Sequence, residues 1–184
     1  MHQLIKEASH KMDKSIEALR SELSKVRTGK ATTTLLDGVK VNYYGTMTPI
    51  NQVGNLTVLD AHTLSITPWD KSMVQALEKA ILEANLGFNP ISDGTNIKIP
   101  VPILTEERRK DFVKLVKKFG EDNKVAIRNV RRDANDHLKR EQKEKKISED
   151  ELKDAEAEVQ KLTDNHIKLI DEIIKHKEKE IMEV

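Results

Sequence analysis

The segment Lys146-Ile147-Ser148-Glu149-Asp150-Glu151-Leu152 carries the signature of a helix start. Ser148 and Glu151 have capping-box spacing: the serine side chain accepts from the backbone N–H three residues on, and the glutamate reaches back to the serine N–H. Ile147 and Leu152 occupy the hydrophobic-staple positions around it. Downstream, Leu152, Ala155, Val159, Leu162, Leu169/Ile170 and Ile173 recur at helical spacing. Upstream, Phe112, Leu115/Val116, Phe119, Ala126/Ile127, Val130, Ala134 and Leu138 do the same, with Thr105 a cap candidate and Glu106 and Glu107 placed for the helix dipole. Two helices meeting at residue 147 are expected to form an antiparallel hairpin.

The N-terminus supplies a third stripe: Ile5, Ala8, Met12, Ile16, Leu19, Leu23 and Val26, closing at Arg27-Thr28-Gly29. These patterns correspond to helices roughly 40–55 Å long at 1.5 Å per residue. A single amphipathic helix in water is marginal, so the three are expected to pack on one another. A two-stranded coiled-coil dimer is the alternative, and it would need a narrower apolar seam.

Between the first two stripes the composition changes. All five prolines and six of the seven glycines fall within residues 29–102, Gly120 being the exception. Residues 29–105 carry 11 charged side chains in 77 positions, against 52 in the other 107. Val39–Tyr43 alternates as a half-buried strand before a Gly45-Thr46 turn, and 56–59 and 64–66 read as further strands. Asp70 caps a short helix bearing Met73/Val74, Leu77, Ala80/Ile81 and Ala84, closed by Asn85-Leu86-Gly87. Asp93-Gly94 then turns into Ile97-Lys98-Ile99. The expected class is α+β: a long antiparallel three-helix bundle of 1–29 and 105–184, with a small β/α/β domain, 30–104, inserted. The two crossings, Thr28, Gly29, Lys30 and Ala31 and then Pro102, Ile103, Leu104 and Thr105, are expected to lie side by side as a hinge.

The 184 residues hold 32 Lys+Arg and 31 Asp+Glu, a net charge of +1. That balance excludes a uniformly basic or acidic chain but not a local basic face. Cysteine is absent, which removes disulfides and thiolate chemistry. Neither a signal-peptide pattern nor a membrane-length apolar run occurs, so the expected setting is soluble and cytoplasmic.

Catalytic signatures are missing. The six histidines, His2, His10, His62, His137, His166 and His176, are scattered without His-Glu-x-x-His spacing, and there is no phosphate-binding glycine loop. The acids at 149–151 are explained by capping. Trp69 and the Tyr43-Tyr44 pair suit core or interface roles. The expectation is no enzyme, no metal and no cofactor.

The second helix carries the informative pattern. With Val130 at 0°, Lys110, Lys114, Lys117, Lys124, Arg128, Arg131, Arg132 and Lys139 fall between about 100° and 200°. Between Lys110 and Lys139 only Glu121 breaks the sign within that arc, while Asp111, Asp122 and Asp133 point elsewhere. Solvated helix faces ordinarily mix signs to gain i,i+4 pairs. A row of like charges costs self-repulsion that a phosphate backbone relieves. The stripe holds no stacking aromatics, so it suits structured RNA recognised by shape better than a threaded single strand.

Several runs then resemble the bacterial ribosome recycling factor (ribosome-releasing factor) family. They are Lys25-Val26-Arg27-Thr28-Gly29-Lys30-Ala31, Leu35-Leu36-Asp37-Gly38, Tyr43-Tyr44-Gly45, Thr105-Glu106-Glu107-Arg108-Arg109-Lys110, Val125-Ala126-Ile127-Arg128-Asn129-Val130-Arg131-Arg132-Asp133-Ala134-Asn135, Lys146–Asp150 and Val159–Asp164. The resemblance implies an L-shaped molecule that binds the ribosome after termination. It further implies that, with elongation factor G and GTP, such a molecule splits the subunits and frees mRNA and deacylated tRNA. By position it assigns RNA contacts to Arg109, Arg128 and Arg131, on large-subunit rRNA; the width of the apolar stripes, for its part, favours a monomer. Lys30 stands where many members have arginine, and Ile103 replaces the second residue of a common Pro-Pro pair. Other classes remain open from the residues alone: a dimeric coiled-coil adaptor, or an enzyme without a familiar motif.

Overall fold

A computed structural model describes residues 3–183, so His2 lies outside the described residues. The chain divides into two compact units, one comprising residues up to Val26 together with Lys110–Glu183, the other Arg27–Arg109.

Three long helices build the first unit: α1 (Gln3–Ser24), α3 (Glu106–Lys143) and α4 (Glu149–Met182). Every stripe residue of α1 is buried, and Val26 packs just beyond the helix end. Ile5 and Ala8 cluster with Ala134, Leu138, Ala155 and Val159. Met12, Ile16, Leu19 and Leu23 cluster with Val116, Ile127, Ile170 and Ile181. Early α1 thus meets late α3 and early α4, so α3 runs antiparallel to the other two helices. Removing side chains of this size from water stabilises by about 1.5–3 kcal/mol each. Polar contacts cross the same interfaces. Asn123 Nδ2 donates to the Ser15 carbonyl at 2.8 Å, and His166 Nε2 lies 2.8 Å from Asp13 Oδ1.

The α3–α4 turn combines two devices. Ser148 and Glu151 form the expected capping box. Before it, Lys145 takes φ +59°, Lys146 N–H reaches the Glu141 carbonyl, and Lys145 N–H reaches that of Gln142. Those two bonds make a Schellman ending built on lysine, not glycine.

In the second unit, α2 (Val74–Glu83) accompanies two sheets. One pairs β1 (Lys40–Tyr43) with β2 (Thr46–Pro49); the other has the order β3 (Gly54–Asp60), β4 (Thr63–Pro68), β6 (Ile97–Pro100), β5 (Ile91–Ser92), all antiparallel. Leu64, Ile66, Leu77, Ile81, Ile97 and Ile99 form the fully buried centre. Arg27 stacks over Phe88 and donates to the Leu86 carbonyl.

Some local expectations shift. The first helix ends at Ser24 instead of near residue 28, and β2 and β5 are strands the alternation did not mark. Asp70 caps a 3-10 turn, Lys71–Met73, which leads into α2. The hairpin turn is Tyr44-Gly45, both at positive φ (+48° and +86°), with Thr46 already in β2. A tyrosine in that conformation is uncommon; here its hydroxyl donates to Asp70 at 2.5 Å. Tyr44 and Trp69 are 76% and 72% exposed, so neither is a core residue.

Candidate nucleic-acid interface

α3 begins where Thr105 Oγ1 accepts the Arg108 N–H, with Glu106 and Glu107 at its positive end and Arg140 and Lys143 at its negative end. Val116, Gly120, Ile127, Ala134 and Leu138 form its buried line. Gly120 lies on that line because α4 comes close: a Cβ there would stand 2.7 Å from Ile174 Cγ1. The buried line determines which side chains α3 presents outward.

The outward cations differ in their surroundings. Lys114, Lys117, Arg128 and Arg132 are exposed and, among the described residues, have no carboxylate within 4 Å. Lys110 is exposed as well. Lys124 is largely enclosed, its Nζ 2.6 Å from Asp171 Oδ1 and 3.2 Å from Glu121 Oε1. The Asp171 bond, with help from Glu121, holds its ammonium pKa above the usual lysine value. Lys139 lies 3.8 Å from Glu156. Arg131 is half-buried and donates from Nη1 to Gln160 Oε1 at 3.1 Å. Arg109 is half-buried, with a buried Nε that finds no partner among the described residues.

Sequence reasoning did not mark Gln160, Asp171 or Asn135. Asn135 sits in the basic arc with a buried Oδ1 that has no partner among the described residues. A wheel drawn for one helix carries no information about the neighbouring helix. The hairpin register does: Lys124 and Asp171 lie at about equal chain distances from residue 147.

The crossings also find partners. Ala31 N–H donates to the Ala61 carbonyl, Val101 N–H donates to that of His62, and His62 Nδ1 lies 3.0 Å from the Gly29 carbonyl. Gly29, at φ +78°, sits beside Leu104. Both crossings therefore rest on the Asp60–Thr63 turn, with Ala31 and Val101 buried in the core of the second unit. Lys30, Pro102, Ile103 and Thr105 are exposed, while Thr28, Gly29 and Leu104 are half-buried.

Among the described residues no cluster of His, Asp and Glu is arranged to hold a metal, and no helix is long and apolar enough to cross a membrane.

Residues 19–182 match the family described as Ribosome recycling factor. The chain belongs to the ribosome recycling factor family. It is 57% identical over 179 residues to the ribosome-recycling factor of Ralstonia pickettii (strain 12J), covering 97% of this chain and 96% of that one. Identity to the factor of Thioalkalivibrio sulfidiphilus (strain HL-EbGR7) is 56%, covering 97% of each. A solution structure of a ribosome recycling factor aligns with TM-score 0.76 at 42% identity, covering 98% of this chain and 96% of that chain. A second similar structure comes from models of the T. thermophilus ribosome recycling factor and the E. coli elongation factor G bound to the E. coli post-termination complex. It aligns with TM-score 0.64 at 46% identity, covering 98% of both chains. Within this ribosome recycling factor family chain, the run from Arg128 to Asn135 contributes Arg128, Arg131, Arg132 and Asn135 to the basic arc on α3.

Proposed function

We propose that this chain grips large-subunit ribosomal RNA with α3 and, together with elongation factor G and GTP, splits the post-termination ribosome, releasing mRNA and deacylated tRNA. One observation carries the reading: Lys114, Lys117, Arg128 and Arg132 line one side of α3 without a carboxylate within 4 Å among the described residues. Two pairs of cations, each pair about a helical turn apart and left uncompensated, match a phosphate backbone, which binds by counterion release. Arg109, Lys110 and Arg131 extend the footprint. Lys124 adds its backbone position but spends its charge on Asp171. The T. thermophilus relative, seen with elongation factor G on a post-termination complex, supports the choice of partner.

In this reading the chain breaks no bond. GTP hydrolysis belongs to elongation factor G, which acts on the 30–104 domain and turns it about 28–31 and 102–105. The protein works as a cytoplasmic monomer, without cofactor or metal.

Equilibrium binding to purified large subunits across roughly 50–200 mM salt tests the grip. Each of Arg128→Ala and Arg132→Ala is expected to reduce the salt slope by about 1 while leaving the melting temperature near that of the parent. Absence of any affinity at low salt overturns the reading. A splitting assay with ribosomes, elongation factor G and GTP tests the second half: the parent chain splits, and the double variant does so only at much higher concentration.

A further inference from the structure

α3 and α4 face each other through three polar rungs: Lys124 with Asp171, Arg131 with Gln160, and Lys139 with Glu156. At the outer rungs a carboxylate meets the cation, at 2.6 and 3.8 Å. The middle rung is built differently. Arg131 Nη1 donates to Gln160 Oε1 at 3.1 Å, and Gln160 Nε2 donates to Asp164 Oδ1 at 2.8 Å. Asp164 is as far along α4 from Asp171 as Arg131 is along α3 from Lys124. It therefore occupies the register position from which a carboxylate would be expected to neutralise the arginine. A neutral amide stands between them.

The amide cannot be turned around. A guanidinium only donates and a carboxylate only accepts, so Oε1 must face Arg131 and Nε2 must face Asp164. One of the five N–H groups of Arg131 is committed to this bond, and its charge is left uncompensated by the rung.

We propose that Gln160 is a positioning residue for RNA binding. It fixes the Arg131 guanidinium on the α3 face and keeps Asp164 from neutralising it, so that Arg131 presents its full charge and remaining donor fork to a phosphate. The inference rests on the reading of α3 as an RNA-binding face. A purely structural Gln160 makes the opposite prediction, because glutamate in its place would strengthen the contact between the helices and spare binding.

The experiment uses the full-length chain, purified large subunits, the salt series and thermal melts. Gln160→Glu is expected to melt at or above the parent, to bind about tenfold more weakly at low salt, and to lose about 1 from the salt slope, as one phosphate contact would. Asp164→Asn, which leaves the amide facing Arg131, is expected to bind at least as tightly as the parent. Gln160→Met removes the tether and opens Arg131 to Asp164; it is expected to weaken binding at least threefold and to lower the slope by up to about 1, and it decides the matter if Gln160→Glu does not fold. Unchanged binding by Gln160→Glu, or by Gln160→Met in its place, overturns the inference when Arg128→Ala still shows its loss. If Arg128→Ala shows no loss either, the RNA-binding reading itself falls and the role of Gln160 falls with it.

Discussion

Lys124 Nζ lies 2.6 Å from Asp171 Oδ1, joining α3 to α4 from within the row of cations on α3. The lysine side chain is only 17% exposed, whereas that of Asp171 is 59% exposed, so the aspartate is the solvated partner of a largely enclosed ammonium. Lys124→Met keeps the packed stem and removes the pair. It is expected to cost about 1 kcal/mol of stability and to leave the salt slope of large-subunit binding unchanged. Melting curves and a salt titration run side by side separate this lysine from Arg128. A slope reduced as much as that of Arg128→Ala would place Lys124 among the phosphate contacts.

Gly120 answers to two opposed effects. Alanine in a helix interior gains about 1 kcal/mol over glycine. The added Cβ would stand 2.7 Å from Ile174 Cγ1, and overpacking of that kind typically costs about 1–3 kcal/mol. Gly120→Ala is therefore expected to destabilise by about 1 kcal/mol. Pairing it with Ile174→Ala should recover part of that loss, measured as a favourable coupling in a double-mutant cycle. An additive cycle would show that the two helices adjust freely.

His62 connects both crossings to one turn. Its Nδ1 faces the Gly29 carbonyl and its own carbonyl accepts from Val101. His62→Ala removes the side-chain bond, worth about 1 kcal/mol. The Ala31 amide, bonded to Ala61 in the same turn, should then exchange with solvent about fivefold faster in the full-length chain. Unaltered exchange would mean that the backbone bonds alone hold the segment.

Acid acts on the second unit through three aspartates. Asp60 is held low by the backbone N–H of His62, Asp70 by the Tyr44 hydroxyl and Ser72, and Asp93 by the N–H groups of Asn96 and Thr95. Each carboxyl titrates lower in the folded chain than in the unfolded one. Their stabilisation is complete above the unfolded values, near pH 4, and is lost as pH falls through the folded ones. Acid unfolding followed by circular dichroism should therefore show the Arg27–Arg109 unit weakening below about pH 4, and Asp93→Asn should lower its stability at neutral pH while shrinking the acid-dependent loss.

Much of this protein was legible in one dimension. The stripes of α1, α3 and α4, the Ser148–Glu151 box and the cationic arc of α3 are all periodic or local, and periodicity depends only on the 3.6-residue turn. The family was legible too, because the run from Arg128 to Asn135 is specific. Chain-local chemistry misled where a distant partner decides. Tyr44 accepts a glycine-like conformation where Asp70 receives its hydroxyl.

What only the packed molecule decided is which cations keep their charge. On a helical wheel Lys124, Arg128 and Arg131 are equivalent. In the folded chain one is bound by Asp171, one is left open to solvent, and one is held by the Gln160 amide. Charge along α3 follows from the residues of α3, but its compensation depends on which residues of α4 stand across from it, and helix–helix register comes from the burial of Ile127, Val159 and Ile170 rather than from the cations themselves.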